Sequence, residues 1–154
     1  MAYRTIVLVG ALRVKEALAS GVVTPGALVA RSSATQVLVH PTDSGFAQKL
    51  FAIEDDLQGK MVSETYASGA RVRFHVASPG DEIAALIKTS ETLVVGDKLV
   101  SAGNGTLKKF VAQNTGDADS TDGGVDIVVG QVVAVALEAV TTAASGARLR
   151  VEVV

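Results

Sequence analysis

No cysteine occurs in the chain, so neither disulfides nor thiolate metal sites are available to it. Stability has to come from packing, strand pairing or association of copies. Tryptophan is absent too, and only four Phe and two Tyr supply aromatic rings. The core must therefore be built from Val, Leu, Ile and Ala, which suits sheets of modest thickness. A net charge of −2 and a pI near 5.6 lack the basic excess of a nucleic-acid binder. No apolar run approaches the ~18 residues of a membrane-spanning helix, so the chain reads as soluble. The apolar stretch Ile6–Leu12, followed by Ala17-Leu18-Ala19, has the outline of a secretion signal. Arg13, Lys15 and Glu16 interrupt that outline, and an unprocessed chain is expected.

Catalytic patterns are equally scarce. There are two histidines, His40 and His75, with no Glu-x-x-His or His-x-His spacing for a metal. Both are expected to be structural. No Gly-x-Ser-x-Gly elbow and no phosphate-binding glycine loop occurs, and SAGNGT at 101–106 reads as a hairpin instead. Asp117, Asp119, Asp122 and Gly123 have the outline of a calcium loop, but the third acid falls one residue late and Val128 occupies the twelfth position. A solvated loop over 113–124 is expected there. Glu54-Asp55-Asp56 is an acidic turn, or the salt-bridge partner of a basic surface. Neighbouring strand residues point to opposite faces, so these acids do not form a facing catalytic pair.

What the chain does have is a phrase written twice. Residues 67–76 read ASGARVRFHV and residues 144–153 read ASGARLRVEV, identical at seven of ten positions. Ser-Gly supplies a turn. After it, Ala70, Val72, Phe74 and Val76 alternate with Arg71, Arg73 and His75, and Ala147, Leu149, Val151 and Val153 alternate with Arg148, Arg150 and Glu152. That period of two marks a strand with one buried face. The arginine face is either solvated or a basic stripe that meets an acidic partner surface.

The flanking text repeats as well. Ala52-Ile53-Glu54 precedes the first copy and Ala136-Leu137-Glu138 the second. Val22–Val29, with a Pro25-Gly26 turn, corresponds to Val94–Val100, where Gly96-Asp97 takes the turn's place. Further strands are expected at Gln36–His40, Lys49–Ile53, Val125–Val129 and Gln131–Leu137. Asp81–Ile87 fits a short capped helix and a strand equally well. The fold class is all-β: a small sandwich or barrel of two degenerate, similar halves with little helix, quasi-repeats at about 21–78 and 92–154, and residues 1–14 as an N-terminal arm or first strand before a single β domain over 15–154.

Four phrases, AIEDDLQGK at 52–60, ASGARVRFHVASPGDEI at 67–83, VVGDKLVSAGNGTLKK at 94–109 and VVAVALEAV at 132–140, resemble the head decoration, or capsid cement, proteins of tailed bacteriophages. The resemblance covers roughly residues 20–154. It implies a non-enzymatic virion protein without cofactor, catalytic residues or metal, on the outer surface of the capsid. Its partner would be the major capsid protein, bound as a homotrimer at three-fold and quasi-three-fold sites, with no direct contact to nucleic acid or membrane. The expected contact residues are Tyr3, Arg4, Ile6 and Leu8 of the arm and Arg71, Arg73, Arg148 and Arg150 of the repeat strands, since Tyr and Arg are enriched at interface hot spots. On that reading residues 2–9 grip the capsid, and deleting them leaves the fold intact. A soluble β-barrel binding module, carbohydrate-binding or fibre-like, is the alternative, although such sugar sites usually present aromatic platforms. An enzyme with a scattered site is the third reading.

Overall fold

The computed structural model describes residues 3–111 and 131–154. The expected strand at 125–129 and the acidic residues Asp117, Asp119 and Asp122 lie outside them. Among the described residues the chain is all-β, with a single turn of 3-10 helix at Asp56–Gln58. Strands β2 (Val14–Ala19), β3 (Leu28–Arg31), β4 (Gln36–Val39), β5 (Leu50–Ala52) and β6 (Arg71–Val76) close a barrel in the order β2-β4-β3-β5-β6. The other six, β1 (Val7–Val9), β7 (Glu82–Leu86), β8 (Lys98–Ser101), β9 (Leu107–Lys109), β10 (Ala134–Ala136) and β11 (Arg148–Val153), form a sheet in the order β1-β7-β11-β10-β8-β9.

The alternation read in the repeat explains how two cores arise from so few aromatics. Val72 and Phe74 of β6 point into the barrel with Ala17, Val29, Val37 and Leu50, all buried. Neighbouring residues on the same strands, Leu28 and Phe51, point outward into a second core with Ile83, Leu99, Leu107, Leu149 and Val151. The barrel wall formed by β3 and β5 is thus apolar on both faces, and the six-stranded sheet packs on its outside.

The two halves correspond bond by bond. Leu50–Val76 and Ala52–Phe74 pair in the first half where Ala134–Val153 and Ala136–Val151 pair in the second. Val29–Val39 and Arg31–Val37 are matched by Leu99–Lys109 and Ser101–Leu107. The Ile53 amide donates to the Arg73 carbonyl, and the Leu137 amide to that of Arg150, which confirms the Ala-Ile/Leu-Glu correspondence. The turns correspond one residue away from the sequence alignment: Pro25-Gly26 matches Val95-Gly96, with φ of 90° and 91° at the two glycines. A turn of this handedness needs glycine, and glycine rather than proline fixes the register.

The halves differ at one seam. In the first, β2 and β4 run parallel and the Leu18 amide donates to Thr35 O at 2.9 Å. The equivalent pair in the second half would be Leu86 and Gly105. There the segment Gly26–Leu28 is inserted instead: Leu86 donates to Gly26 O at 2.9 Å, and Leu28 donates to Gly105 O at 2.8 Å. In the six-stranded sheet the first half's turn holds β7 and β9 apart, and they meet only beyond it, at a parallel bridge between Ile87 and Leu107 where Lys88 donates to Leu107 O at 2.9 Å.

This asymmetry makes a prediction. A Cβ at Gly26 would lie 2.8 Å from Ala84 O and 3.2 Å from the Arg148 Nε, whereas one at Gly96 meets nothing within 4 Å. Both substitutions carry the cost of positive φ, roughly 1–2 kcal/mol. Gly26→Ala should cost at least about 2 kcal/mol more than Gly96→Ala in urea unfolding, because it forces the halves apart. Equal costs would mean that the seam is not tightly packed.

Two local features become definite. Of the two readings of Asp81–Ile87 the strand holds, over Glu82–Leu86: Ile83, Ala84 and Ala85 are buried on both faces between β1 and β11, which suits a central strand better than a helix with one polar side. The β8–β9 hairpin is real, but its loop is Gly103-Asn104-Gly105. Ala102 donates to Thr106 O at 2.9 Å, and the two glycines, not Asn104, take positive φ.

Candidate interaction surface

The N-terminal residues are woven into the fold. Ile6 is fully buried; its amide donates to Glu54 Oε2 at 3.0 Å, and its carbonyl accepts from Ala84 at 2.8 Å. The next residues, β1, pair with β7 through Val7–Ile83. Ile6 is therefore a core residue, contrary to its expected role as a partner contact, and Leu8 is half-buried. Tyr3 is half-buried, and its hydroxyl donates to the Glu138 carboxylate. Burial, then the bonded Glu138, push the phenol up to about 12. Arg4 alone of the four arm candidates is exposed.

The four arginines do not form a free stripe. Arg71 is exposed and lies 3.3 Å from Glu16. Arg73 is enclosed, its side chain 12% exposed, and pairs with Asp56 and more distantly with Asp55 at 4.0 Å. The acidic turn read from the sequence is thus the internal partner of Arg73. Arg148 is half-buried and donates to Pro25 O from Nε (3.1 Å) and Nη2 (2.9 Å), and also to Val62 O. Burial lowers its basicity, with Glu54 partly opposing. Arg148 clasps the inserted turn, so its task is holding the two halves together. Arg150 donates to Glu82 at 2.6 Å. Period-two alternation showed which side of the strand these residues occupy; it carried no information on which acids reach them from distant segments.

Both histidines are buried. The His40 ring nitrogens contact Ser101 Oγ at 2.8 Å and Phe46 O at 2.7 Å. His75 Nδ1 accepts from the Arg13 amide at 3.2 Å, and Nε2 faces Asp81 Oδ2 at 3.0 Å. Asp81 also accepts from Arg13 Nη2 at 2.9 Å and from the Ser78 amide at 2.8 Å. Burial pushes this carboxyl up, but the Ser78 amide, His75 and Arg13 together outweigh it and hold Asp81 below the usual range. The cluster ties the segment before β2 to the loop between β6 and β7.

What the fold brings together is a groove of about 750 Å³ lined by Tyr3, Arg4, Met61, Val62, Gly146 and Arg148. It joins two arm candidates to one repeat arginine. Its chemistry is an open apolar floor with an exposed guanidinium and an exposed Met61, suited to a protein side chain. Met61 and Val62 went unnoticed in the sequence. The sequence does carry a clue: Glu54 stands 13 residues before Ala67 but Glu138 only 6 before Ala144, and the extra residues at 55–65 build this wall. Among the described residues, no group of three or more His, Asp or Glu side chains is placed to hold a metal ion, and no helix is long and apolar enough to cross a membrane.

No protein-family model and no curated protein matches the sequence. Among solved structures, the N base of head fiber gp8.5 of bacteriophage phi29 is similar, with a TM-score of 0.54 and 14% identity over 94% of this chain and 95% of that one. At that identity the likeness shows that the two share a fold along nearly their whole lengths.

Proposed function

We propose that the chain is a non-enzymatic structural protein of a tailed-phage head, which binds the outer surface of the capsid and cements neighbouring major capsid subunits. The observation that carries this is the fold shared end to end with the base of a phage head fiber. The decoration-protein phrases at 52–60, 67–83, 94–109 and 132–140 support it independently. Binding as a homotrimer at three-fold and quasi-three-fold positions makes weak contacts sufficient, because a second and third subunit engage at high effective concentration.

The groove of Tyr3, Arg4 and Met61 is the surface we assign to the capsid. Arg4 and Met61 are both exposed, Met61 at 71%, so charge reversal there leaves the core intact. Co-sedimentation with expanded heads lacking the protein tests the assignment. Arg4→Glu/Met61→Glu should weaken occupancy at least about tenfold with an unchanged urea midpoint. Full occupancy by this variant would refute the assignment of the groove, and absence of binding by the unaltered protein would refute the function.

A further inference from the structure

The seam between the halves contains a knob and a socket, and each has an unused twin. The knob is the Pro25-Gly26 turn of the first half, both residues buried. The socket is the gap between β7 and β9 of the second half, where Leu86 donates to Gly26 O, Gly105 accepts from Leu28, and Arg148 clasps Pro25 O. By the strand correspondence, the twin of the knob is Val94-Val95-Gly96. Val94 is 56% exposed and Val95 64% exposed, and nothing lies within 4 Å of a Cβ built on Gly96. The twin of the socket is the β2/β4 seam, in which Leu18, Thr35 and Arg71 stand where Leu86, Gly105 and Arg148 stand in the second half.

That twin socket is an open groove of about 340 Å³ lined by Ala17, Leu18, Ala34, Thr35 and Arg71 with Glu16. Leu18 is 40% exposed there, and the Arg71 side chain 71%. One chain therefore carries a bare apolar turn and a bare groove with the same relation to its halves as the turn and groove already joined inside it.

We propose that copies of this chain associate head to tail, the Val94–Gly96 turn of one copy seating in the Leu18–Thr35–Arg71 groove of the next. The contact repeats the one that holds the two halves together. The Leu18–Thr35 backbone bond of the seam is exchanged for two, Leu18 to the incoming Gly96 carbonyl and the incoming Lys98 amide to Thr35, as the internal seam already shows with Leu86–Gly26 and Leu28–Gly105. Arg71 leaves Glu16 for the Val95 carbonyl, the place Arg148 takes on Pro25. Val94 and Val95 lose their exposure to water. Such a contact joins two different surfaces, so it closes into a ring when the rotation allows. The inference needs only the purified chain and holds whether or not the capsid reading does.

The absence of cysteine makes the test specific. Two singly substituted proteins, Leu18→Cys and Val95→Cys, are mixed and oxidised. A disulfide between the two different proteins is expected, with each protein alone remaining uncrosslinked. A Leu18→Cys protein that crosslinks to itself overturns the head-to-tail arrangement. Analytical ultracentrifugation supplies the second arm. Val95→Asp should weaken self-association at least about 30-fold, because it places a charge in a dry contact, while its urea midpoint stays that of the unaltered chain. A protein that is monomeric at every concentration, or whose association is indifferent to Val95→Asp, overturns the proposal.

Discussion

Removing residues 2–9 is expected to destabilise the protein by at least about 4 kcal/mol, out of a total of roughly 5–15 kcal/mol for a domain of this kind. Ile6 is wholly buried, and deleting a buried Ile side chain alone costs about 2–5 kcal/mol through lost transfer energy and the cavity left behind. The truncation also takes away the Ile6–Ala84 backbone bond, the donor to Glu54 and the whole of β1, which turns the paired strand β7 into an open edge. Urea unfolding checks this. The truncated chain should unfold well below the midpoint of the full chain, and Ile6→Ala should reproduce most of the loss. An unchanged midpoint would make residues 2–9 a free arm, one of the two readings the sequence leaves open beside a first strand.

The second large effect is expected at Asp81. Its carboxylate is buried and accepts from Arg13, the Ser78 amide and His75, so it joins three segments. Asp81→Asn keeps the shape but turns one acceptor oxygen into a donor facing donors, which should cost about 2–4 kcal/mol at pH 7. The pH dependence identifies the cause. The folded-state pKa lies below that of an ordinary aspartate, so the stabilisation is complete above the ordinary value and is lost as pH falls through the depressed one. The difference between Asp81→Asn and the unaltered chain should therefore be constant from about pH 5 upward and shrink below about pH 4. A difference that stays constant down to pH 2 would show that the loss is steric.

The parts of the fold that were legible in the sequence are those set by one strand at a time. The Ser-Gly turns at Gly69 and Gly146 and the alternation after them predicted β6 and β11, and with them the two halves. The Ala-Ile/Leu-Glu phrases located β5 and β10 because their pairing to the repeat strands is local in register. What escaped was set between distant segments. Proline drew the eye at Pro25, yet the left-handed glycine after it is what the two turns share. Arg148 reads as one more outward arginine until the inserted turn arrives beside it. Asp81 reads as a helix cap or a strand start, yet it is held by partners six and sixty-eight residues away. The candidate surface is half legible: Tyr3 and Arg4 stand out by side-chain type, but Met61 and Val62 belong to the extra residues at 55–65, whose role appears only when they lie beside Tyr3 and Arg4 in the groove.

Electron cryomicroscopy of expanded heads saturated with the protein tests the central claim most directly. Density for this fold is expected on the outer capsid surface at three-fold and quasi-three-fold positions, with the groove of Arg4 and Met61 turned toward the major capsid subunits. Bare heads at saturating protein, or density confined to another part of the particle, would contradict it.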